Sequence, residues 1–224
     1  GEARIADGDT SFEDFEIPME DMCALLFTSG TTGTSKGVML SHKNLTAASN
    51  ASCLATRYDS KDTNVSVLPI HHTFELTTGH LAAANLGLTS YINESLKYAT
   101  RNFKEFRPTM LILVPLFLET VHKRIWETVR KKGIEKKVRT AMKISDTLLL
   151  TGVDMRDKFF SEITDVFGGK LKSVIVGGAP IDPQIVRDFY SFGITVLQGY
   201  GITECAPLVS VNRPGKVSFN SVGQ

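Results

Sequence analysis

The sequence predicts an α/β fold in which a mostly parallel sheet is flanked by helices. Short apolar runs, typical of buried strands, alternate along the chain with longer stretches of helical periodicity. Motifs rich in glycine, hydroxyl or histidine side chains follow the strands and begin at Thr28, Pro69, Gly177 and Gln198. Because ligands of such folds bind at the carboxyl ends of the strands, these motifs mark the candidate site.

The first part of the chain alternates short strands with two helices. Ser41 is a suitable N-cap for a helix over 42–57, and a second helix is predicted from about 73 to 84 with Gly87 as its C-cap. Pro69 lacks an N–H and therefore ends the strand before it. Apolar runs predict strands, the first of them buried, at 23–27, 38–40, 64–68 and 89–92.

The remainder of the chain continues the alternation. Leu118, Val121, Ile125 and Val129 recur at helical spacing, and Asp182 is a candidate N-cap for a later helix. Helices are predicted at 96–106, 116–131, 134–150, 154–167 and 182–192. Strands are predicted at 109–114, 171–176 and 195–197.

The stretch 28–37 consists almost entirely of glycine and hydroxyl residues and contains one lysine, Lys36. Glycines let the backbone approach a ligand, successive N–H groups can form an anion-binding concavity, and a lysine is suited to phosphate. A flexible linker is the structural alternative, but linkers rarely lie tightly between two apolar strands. A Walker A loop fails at two positions, because Ser35 replaces its second glycine and Gly37 its Mg²⁺-binding hydroxyl.

Two later motifs also place glycines and polar side chains after a strand. Residues 177–180, Gly-Gly-Ala-Pro, leave a flat surface for a planar ring, although a tight strand-to-helix turn would explain them equally well. Residues 198–204, Gln-Gly-Tyr-Gly-Ile-Thr-Glu, expose Tyr200 between glycines for stacking on a base. Thr203 offers a hydroxyl to phosphate and Glu204 an oxygen to Mg²⁺, whereas an ordinary turn with a surface glutamate is the alternative.

Together these motifs resemble the adenylate-forming superfamily of acyl-CoA synthetases, luciferases and peptide-synthetase adenylation domains. Residues 21–45 resemble its phosphate-binding motif nearly letter for letter, 176–181 its adenine-contacting segment and 198–204 its G-Y-G-x-T-E signature. The segment 107–167 and the stretch 212–224 look like the long-chain acyl-CoA synthetase branch. The resemblance implies that the chain is part of the large domain of an adenylate-forming enzyme.

The resemblance implies a reaction in two steps. A long-chain fatty-acid carboxylate attacks the α-phosphorus of ATP, which releases pyrophosphate and leaves acyl-AMP. The thiol of coenzyme A then displaces AMP. ATP, Mg²⁺ and coenzyme A are therefore the implied cofactors and co-substrates, and positioning with charge stabilisation supplies most of the catalysis.

The resemblance also implies site residues, position by position. Lys36, His72, Thr203 and Glu204 are the candidate catalytic residues, and His72 is expected to line the acyl side of the site. Glu204 together with Thr28 is the candidate Mg²⁺ site, and Phe74 borders either the acyl pocket or the core. Nucleotide-binding residues are expected at Thr28, Ser29, Gly30, Thr31, Thr32, Gly33, Lys36, Gly178, Ala179, Pro180, Gln198, Gly199, Tyr200, Gly201 and Thr203.

By the same resemblance, residues 1–60 belong to one α/β lobe, 61–211 to a second lobe, and 212–224 begin a small barrel. The family's ribose-binding aspartate, hinge and lysine-bearing C-terminal domain have no counterpart in these residues. We therefore expect a piece of a longer protein that binds nucleotide weakly and is catalytically incompetent alone. A fatty-acyl-AMP ligase that loads a carrier protein and a non-catalytic nucleotide-binding module are the open alternatives.

Composition limits the partners and the compartment. Hydrophobic residues make up 42% of the 224 positions and the net charge is +1, so no overall field indicates nucleic-acid binding. The three cysteines lack metal or disulfide spacing, which favours a reducing, cytoplasmic compartment. No apolar run reaches the roughly 18 residues of a membrane helix, and the N-terminus is unlike a signal peptide.

A basic stretch runs from His122 to Lys143. A solvated helix face is the structural explanation of this stretch. Peripheral contact with anionic lipid is the functional alternative, since each cation near such a surface contributes about 1 kcal/mol. Its cations are Lys123, Arg124, Arg130, Lys131, Lys132, Lys136, Lys137, Arg139 and Lys143.

Overall fold

The computed structural model describes residues 2–11, 15–29 and 34–223. Strands β1 (Met22–Ser29) and β2 (Ser35–Ser41) form an antiparallel hairpin. The other strands form one six-stranded sheet in the order β4-β3-β5-β6-β7-β8. They are β3 (Thr63–Ser66), β4 (Thr89–Ile92), β5 (Met110–Leu113), β6 (Ser173–Val176), β7 (Thr195–Gly201) and β8 (Leu208–Val211).

Helices connect the strands and lie against them. The α-helices are α1 (Glu2–Ala6), α2 (His42–Thr56), α3 (Ala82–Leu86), α4 (Ala99–Phe106), α5 (Pro115–Lys131), α6 (Glu135–Leu150), α7 (Arg156–Thr164) and α8 (Pro183–Ser191). A π-helix precedes α3 at Phe74–Leu81. Short 3₁₀ turns lie at Leu96–Tyr98, Asp165–Phe167 and Thr203–Cys205.

The six-stranded sheet is mostly parallel, which confirms the predicted fold class. Every pair from β4 to β7 is parallel, and only β8 pairs antiparallel, with β7. The sheet is apolar on both faces: Leu111 and Val174 pack among the aromatic core on one side, and Ile112 and Ile175 pack toward Phe74 on the other. Burial on both faces explains why these central strands are uninterrupted apolar runs.

The local capping predictions are confirmed. Ser41 and Asn44 form a reciprocal capping box at the start of α2, and the Asp182 side chain accepts a hydrogen bond from the Gln184 N–H at the start of α8. Gly87 ends α3 with a φ of 66°. These signals act within one turn of the chain, so the sequence alone specifies them.

The first strand is not buried as predicted. Leu25, Phe27 and Met39 of the hairpin are 49%, 70% and 71% exposed. A two-stranded hairpin presents alternate side chains to opposite faces, and only the face with Leu40 packs against α2.

The predicted helix over 73–84 begins as a π-helix. The Ala82 N–H reaches back to the Thr77 carbonyl, five residues earlier, and the Thr78 hydroxyl donates to the Phe74 carbonyl. A side-chain hydroxyl that bonds to the backbone in this way competes with regular helical pairing. The predicted strand over 64–68 is also shorter, because β3 ends at Ser66.

Helix α2 joins the hairpin to the sheet. It packs against the hairpin on one side and against the π-helix, α3 and β8 on the other. The hairpin also touches the turn Thr203–Cys205, since Ala206 packs with Leu40 and Leu45. The hairpin is therefore placed beside the carboxyl end of β7, whereas the division into two lobes and a barrel stays a prediction.

Candidate functional site

The carboxyl ends of the parallel strands line two adjoining cavities. The segments that follow β3 and β6 meet the end of β7 there, as the motifs that begin at Pro69, Gly177 and Gln198 predicted, although residues 198–201 belong to β7 itself. The motif that begins at Thr28 does not follow a strand of this sheet, because it lies in the separate antiparallel hairpin. In a parallel sheet this edge is the usual place for a ligand, because helices cover both faces.

The first cavity has a volume of about 530 Å³ and we call it the His72 cavity. Its lining is mostly apolar, with the exposed His72 and the half-buried Phe74 on one side. Further lining comes from Thr78, Leu96, Val114, Ile175, Gly177, Gly178, Tyr200, Ile202, Thr203 and Leu208. Phe74 thus borders this cavity as well as the core.

The second cavity has a volume of about 710 Å³ and we call it the Pro180 cavity. It lies between the segment 178–180 and the tail of the chain at 219–222. Gly178, Gly199, Tyr200 and Gly201 line both cavities. The shared wall is therefore formed by the end of β7 together with Gly178, and Tyr200, which is 53% exposed, is accessible there.

The glycines in and beside this wall are each required for a different structural reason. Gly178 has a φ of +86°, which disfavours other residues, and no atom lies where its Cβ would be. Gly177 lies under the Phe74 ring, which would be 3.2 Å from an added Cβ. At Gly201 an added Cβ would overlap the Pro207 carbonyl oxygen of the neighbouring segment, so close backbone approach explains that glycine.

Gln198 is more enclosed than its predicted role in nucleotide binding suggests. Its side chain is buried and donates a hydrogen bond of 3.2 Å to the Phe219 carbonyl, while its own carbonyl accepts from the Asn212 N–H at 2.8 Å. These bonds hold the tail of the chain beside β7. The tail residues 219–222 therefore form part of the Pro180 cavity.

The hairpin places Thr28 directly opposite Lys36. The loop between them was predicted to bind phosphate, but Gly30, Thr31, Thr32 and Gly33 lie outside the described residues. Ser29 and Lys36 are exposed at the ends of the strands that lead into it. Since β2 contacts the turn Thr203–Cys205, Lys36 and the Thr203–Glu204 pair belong to neighbouring elements.

Glu204 is exposed in that turn, and Thr203 is half-buried and lines the His72 cavity. Among residues 2–11, 15–29 and 34–223, no three histidine, cysteine or carboxylate side chains cluster as a complete metal site. A single free carboxylate suits Mg²⁺ that is bound mainly through substrate phosphates, because such ions keep one or two protein carboxylates. The donor set here therefore fits an ion that arrives with a nucleotide.

A buried polar cluster supports the wall of the His72 cavity. Glu75 is fully buried in the π-helix and accepts a hydrogen bond of 2.5 Å from the Ser66 hydroxyl, which also lies 3.2 Å from His80 Nε2. Burial raises the pKa of Glu75 to about 7, and the Ser66 hydrogen bond opposes this shift. Gly79 leaves room for the carboxylate, whose Oε1 would be 3.0 Å from an added Cβ.

The sequence matches the family described as AMP-binding enzyme over residues 2–224. This chain belongs to the AMP-binding enzyme family. The predicted resemblance is therefore confirmed at the level of the family.

Relatives of this AMP-binding chain include fatty acyl-CoA synthetase A of Dictyostelium discoideum, which is 30% identical over 93% of the chain and 32% of that protein. Long-chain-fatty-acid–CoA ligase 5 of Mus musculus is 30% identical over 94% of the chain and 33% of that protein. The peroxisomal long chain acyl-CoA synthetase 6 of Arabidopsis thaliana is 31% identical over 91% and 30%. The chain spans about a third of the length of these curated relatives.

Solved structures share the fold. The anthranilate CoA ligase AuaEII in complex with anthranoyl-AMP superposes with a TM-score of 0.67 at 16% identity, over 92% of this chain and 34% of that one. ATP-bound MatB from Rhodopseudomonas palustris has a TM-score of 0.65 at 24% identity, over 93% and 35%. At these identities the likeness shows the fold alone, which is the one predicted for the large domain of adenylate-forming enzymes.

Sequence reasoning missed part of this site. It did not predict the tail residues 219–222, the buried Glu75 or Leu96, which is exposed at the opening, or mouth, of the His72 cavity. A glutamate four residues before a glycine, inside a stretch of apolar and small residues, was an available signal for Glu75. Nothing local marks Leu96 or the tail, because their place depends on long-range packing.

Proposed function

We propose that this chain is the nucleotide- and acyl-binding part of an AMP-forming long-chain fatty-acid–CoA ligase. The observation that carries the proposal is the pair of cavities that share the wall at Gly178 and Tyr200. A nucleotide in one cavity and a fatty acid in the other would meet at this wall. The family membership and the names of the long-chain relatives support the same assignment.

On the nucleotide side, we assign adenine to the Pro180 cavity. Its flat backbone at 178–180 and the exposed ring of Tyr200 suit a planar base. Thr203 is then in the next turn, where its hydroxyl can donate to the α-phosphate. Lys36 and the hairpin loop are assigned to the β- and γ-phosphates, since the hairpin contacts that turn.

Glu204, with Thr28, is assigned to Mg²⁺ bound to those phosphates. The ion supplies positive charge that stabilises the charge developing on the phosphate oxygens. Lys36 would add a second positive charge from β2, which contacts the turn that carries Glu204. Together these groups favour departure of pyrophosphate without a covalent enzyme intermediate.

On the acyl side, we assign the fatty acid to the His72 cavity. Its mostly apolar lining is suited to an alkyl chain, whereas a short polar acid would leave that surface exposed to water. His72 and Thr203 lie on the same cavity and can orient the carboxylate toward the α-phosphorus. The thioester then forms when the thiol of coenzyme A displaces AMP.

The deciding experiment is ATP–pyrophosphate exchange by the intact protein that carries this chain, with acetate, octanoate, palmitate and oleate. We expect exchange with the long-chain acids and a decrease of about 10- to 100-fold in Lys36→Ala, from loss of a charged contact to phosphate. Lys61→Ala is the matched control, because Lys61 is exposed and lines neither cavity.

Three outcomes would redirect the assignment. Binding of MgATP without exchange for any acid would indicate a nucleotide-binding module. Exchange followed by transfer to a carrier protein, but not to coenzyme A, would indicate a carrier-loading ligase. Exchange by the 224 residues alone at the rate of the intact protein would contradict our proposal that they are catalytically incompetent by themselves.

We also propose that the protein acts in the cytoplasm, with peripheral membrane contact through the basic stretch. None of the helices described is both long and apolar enough to cross a membrane. Lys131, Lys136 and Lys137 are exposed, while Arg139 is held by Glu135 at 2.9 Å. Reversing the charges of Lys131, Lys132, Lys136 and Lys137 should weaken binding to anionic liposomes, and unchanged binding would remove this proposal.

A further inference from the structure

A third cavity lies among the helices and shares no lining residue with the His72 or Pro180 cavities. We call it the Val129 cavity, and its volume is about 510 Å³. Helices α5 and α7 form most of it, with contributions from α4 and the start of α6. Its volume falls within the range of roughly 300–1,000 Å³ that is usual for small-molecule sites.

One wall of the Val129 cavity is apolar and firmly held. Val121, Ile125 and Val129 follow one another at four-residue spacing along α5 and are all buried in the main core. Ile163 and Val166 pack against the same core from the opposite side. The wall therefore does not depend on a ligand for its shape.

An irregularity in α7 places two aromatic rings at this cavity. Phe160 has non-helical angles of φ −125° and ψ 18° inside the helix. Phe159 and Phe160 both line the cavity, with ring centroids 6.2 Å apart, although Phe160 is buried and Phe159 is 44% exposed. The exposed ring widens the apolar surface toward solvent.

Exposed cations surround this apolar surface. Arg124, Lys132 and Lys158 line the cavity together with a single carboxylate, Glu162. Lys132 binds that carboxylate at 3.1 Å. Within the part of the chain that the structure describes, Arg124 and Lys158 have no carboxylate partner, so two positive charges are available to a ligand.

We propose that the Val129 cavity is a second ligand site, which binds a single-chain amphiphile with an anionic head group. The alkyl chain lies between α5 and α7, and the head group lies at Arg124 and Lys158. A neutral apolar ligand would leave the cations unused, and a small polar anion would leave the apolar wall exposed. The proposal does not depend on the reaction assigned to the other two cavities.

The test is calorimetric titration of the protein with dodecylphosphonate below its micelle concentration. We expect binding that weakens about tenfold or more in Arg124→Gln/Lys158→Gln, as charged hydrogen bonds are lost. Lys104→Gln/Lys170→Gln is the matched control, because it removes the same charge from exposed positions outside the cavity and outside the basic stretch, and we expect less than a twofold change. Ser161→Phe, which fills the cavity from an exposed position, should abolish binding at this cavity.

A variant of the other apolar site separates the two locations. Because the probe resembles a fatty acid, it also suits the His72 cavity, which Leu96→Trp narrows. This variant should leave unchanged the component of binding that Arg124→Gln/Lys158→Gln weakens. Binding that is lost in this variant but kept in Arg124→Gln/Lys158→Gln would overturn the proposal. Equal losses of affinity in Arg124→Gln/Lys158→Gln and in the control variant would overturn it as well. So would equally tight binding of neutral dodecanol, or association of the protein only with vesicles that contain phosphatidylglycerol.

Discussion

Glu75 is buried without a full set of hydrogen bonds. The Ser66 hydroxyl satisfies one carboxylate oxygen, and within the described residues Oε2 has no partner. Its neighbours in the π-helix, Phe74 and Thr78, line the His72 cavity. Since π-helical turns are frequent at functional sites, we interpret Glu75 as a residue that holds this wall in place at some cost in stability.

The first prediction concerns the pH dependence of stability. The pKa of Glu75 is raised to about 7 in the folded protein from 4.5. Between these values the folded state binds more protons than the unfolded state. The contribution of Glu75 to the free energy of unfolding is therefore fully present below pH 4.5 and is lost as pH rises through 7. Glu75→Gln should remove a loss on the order of 2–3 kcal/mol across this window, measured by urea unfolding at several pH values.

Glu127→Gln is the control, because Glu127 is exposed on α5. It should keep the slope of stability against pH found in the unsubstituted protein. The same slope in Glu75→Gln would show that the pKa of Glu75 is not raised in the folded state.

Comparison of two glycines distinguishes the effect of backbone strain on stability from an effect on ligand binding. Gly178 and Gly152 both have a φ of +86° and open space at the Cβ position, but only Gly178 lines the two cavities. Gly→Ala at either position should cost about 1 kcal/mol of unfolding free energy. Only Gly178→Ala should weaken MgATP binding, measured by calorimetry, and equal affinities in both variants would contradict the placement of adenine.

At the scale of elements, α2 is the link between the hairpin and the large sheet. Its first turn is fixed by the reciprocal bonds of Ser41 and Asn44, and its buried face contacts both neighbours. The hairpin itself has one packed face and one exposed face. Its position beside the turn Thr203–Cys205 therefore depends strongly on where α2 begins.

Ser41→Ala should remove the cap and lower the free energy of unfolding by about 1 kcal/mol. The hairpin should also become more mobile relative to the sheet, which faster amide exchange in β2 would report. Ser60→Ala is the comparison, because Ser60 is exposed in a turn outside the helix caps. A loss of stability no larger than in Ser60→Ala would mean that the packing of Leu45 and Ala48 alone sets the start of α2.

At the scale of the whole molecule, the chain brings the carboxyl ends of the parallel strands, the start of β8 and the tail at 219–222 to one edge of the sheet. The His72 and Pro180 cavities at this edge share only the end of β7 and Gly178. Under the proposed function, such an arrangement would hold a nucleotide and an acid in contact at one place while each keeps its own environment. A pre-formed geometry of this kind would supply the positioning on which phosphoryl chemistry depends.

The mouth of the His72 cavity should influence which acids are accepted. Leu96 is 61% exposed there, so Leu96→Trp narrows the opening without disturbing the core. We expect the ratio of exchange rates for palmitate and octanoate to fall by about tenfold, since an added ring costs about 1–3 kcal/mol where space is limited. Ile92→Trp, at an exposed position outside the cavity, should leave this ratio unchanged.

Much of the fold was predictable because its signals are short-range. The apolar runs of β5 and β6, the helical period of α5 and the caps at Ser41, Gly87 and Asp182 each involve residues within a few turns of one another. The sequence also predicted that the motifs around Gly178, Tyr200 and Thr203 lie at one edge of the sheet, because the carboxyl ends of parallel strands converge, and these residues do line the cavities there. Their assignment to particular parts of a nucleotide stays a prediction.

The sequence by itself determined the order of the elements from β1 to β7, the fold class and the family, since each rests on local pattern or on motifs read along the chain, whereas α1 and β8 were not predicted. Only the tertiary structure decided that β1 is half exposed, that β8 turns antiparallel and that two cavities share one wall. The burial of Glu75 under Ser66 and the Val129 cavity between α5 and α7 belong with these features. All of them arise from contacts between residues far apart in sequence, which periodicity and composition do not encode.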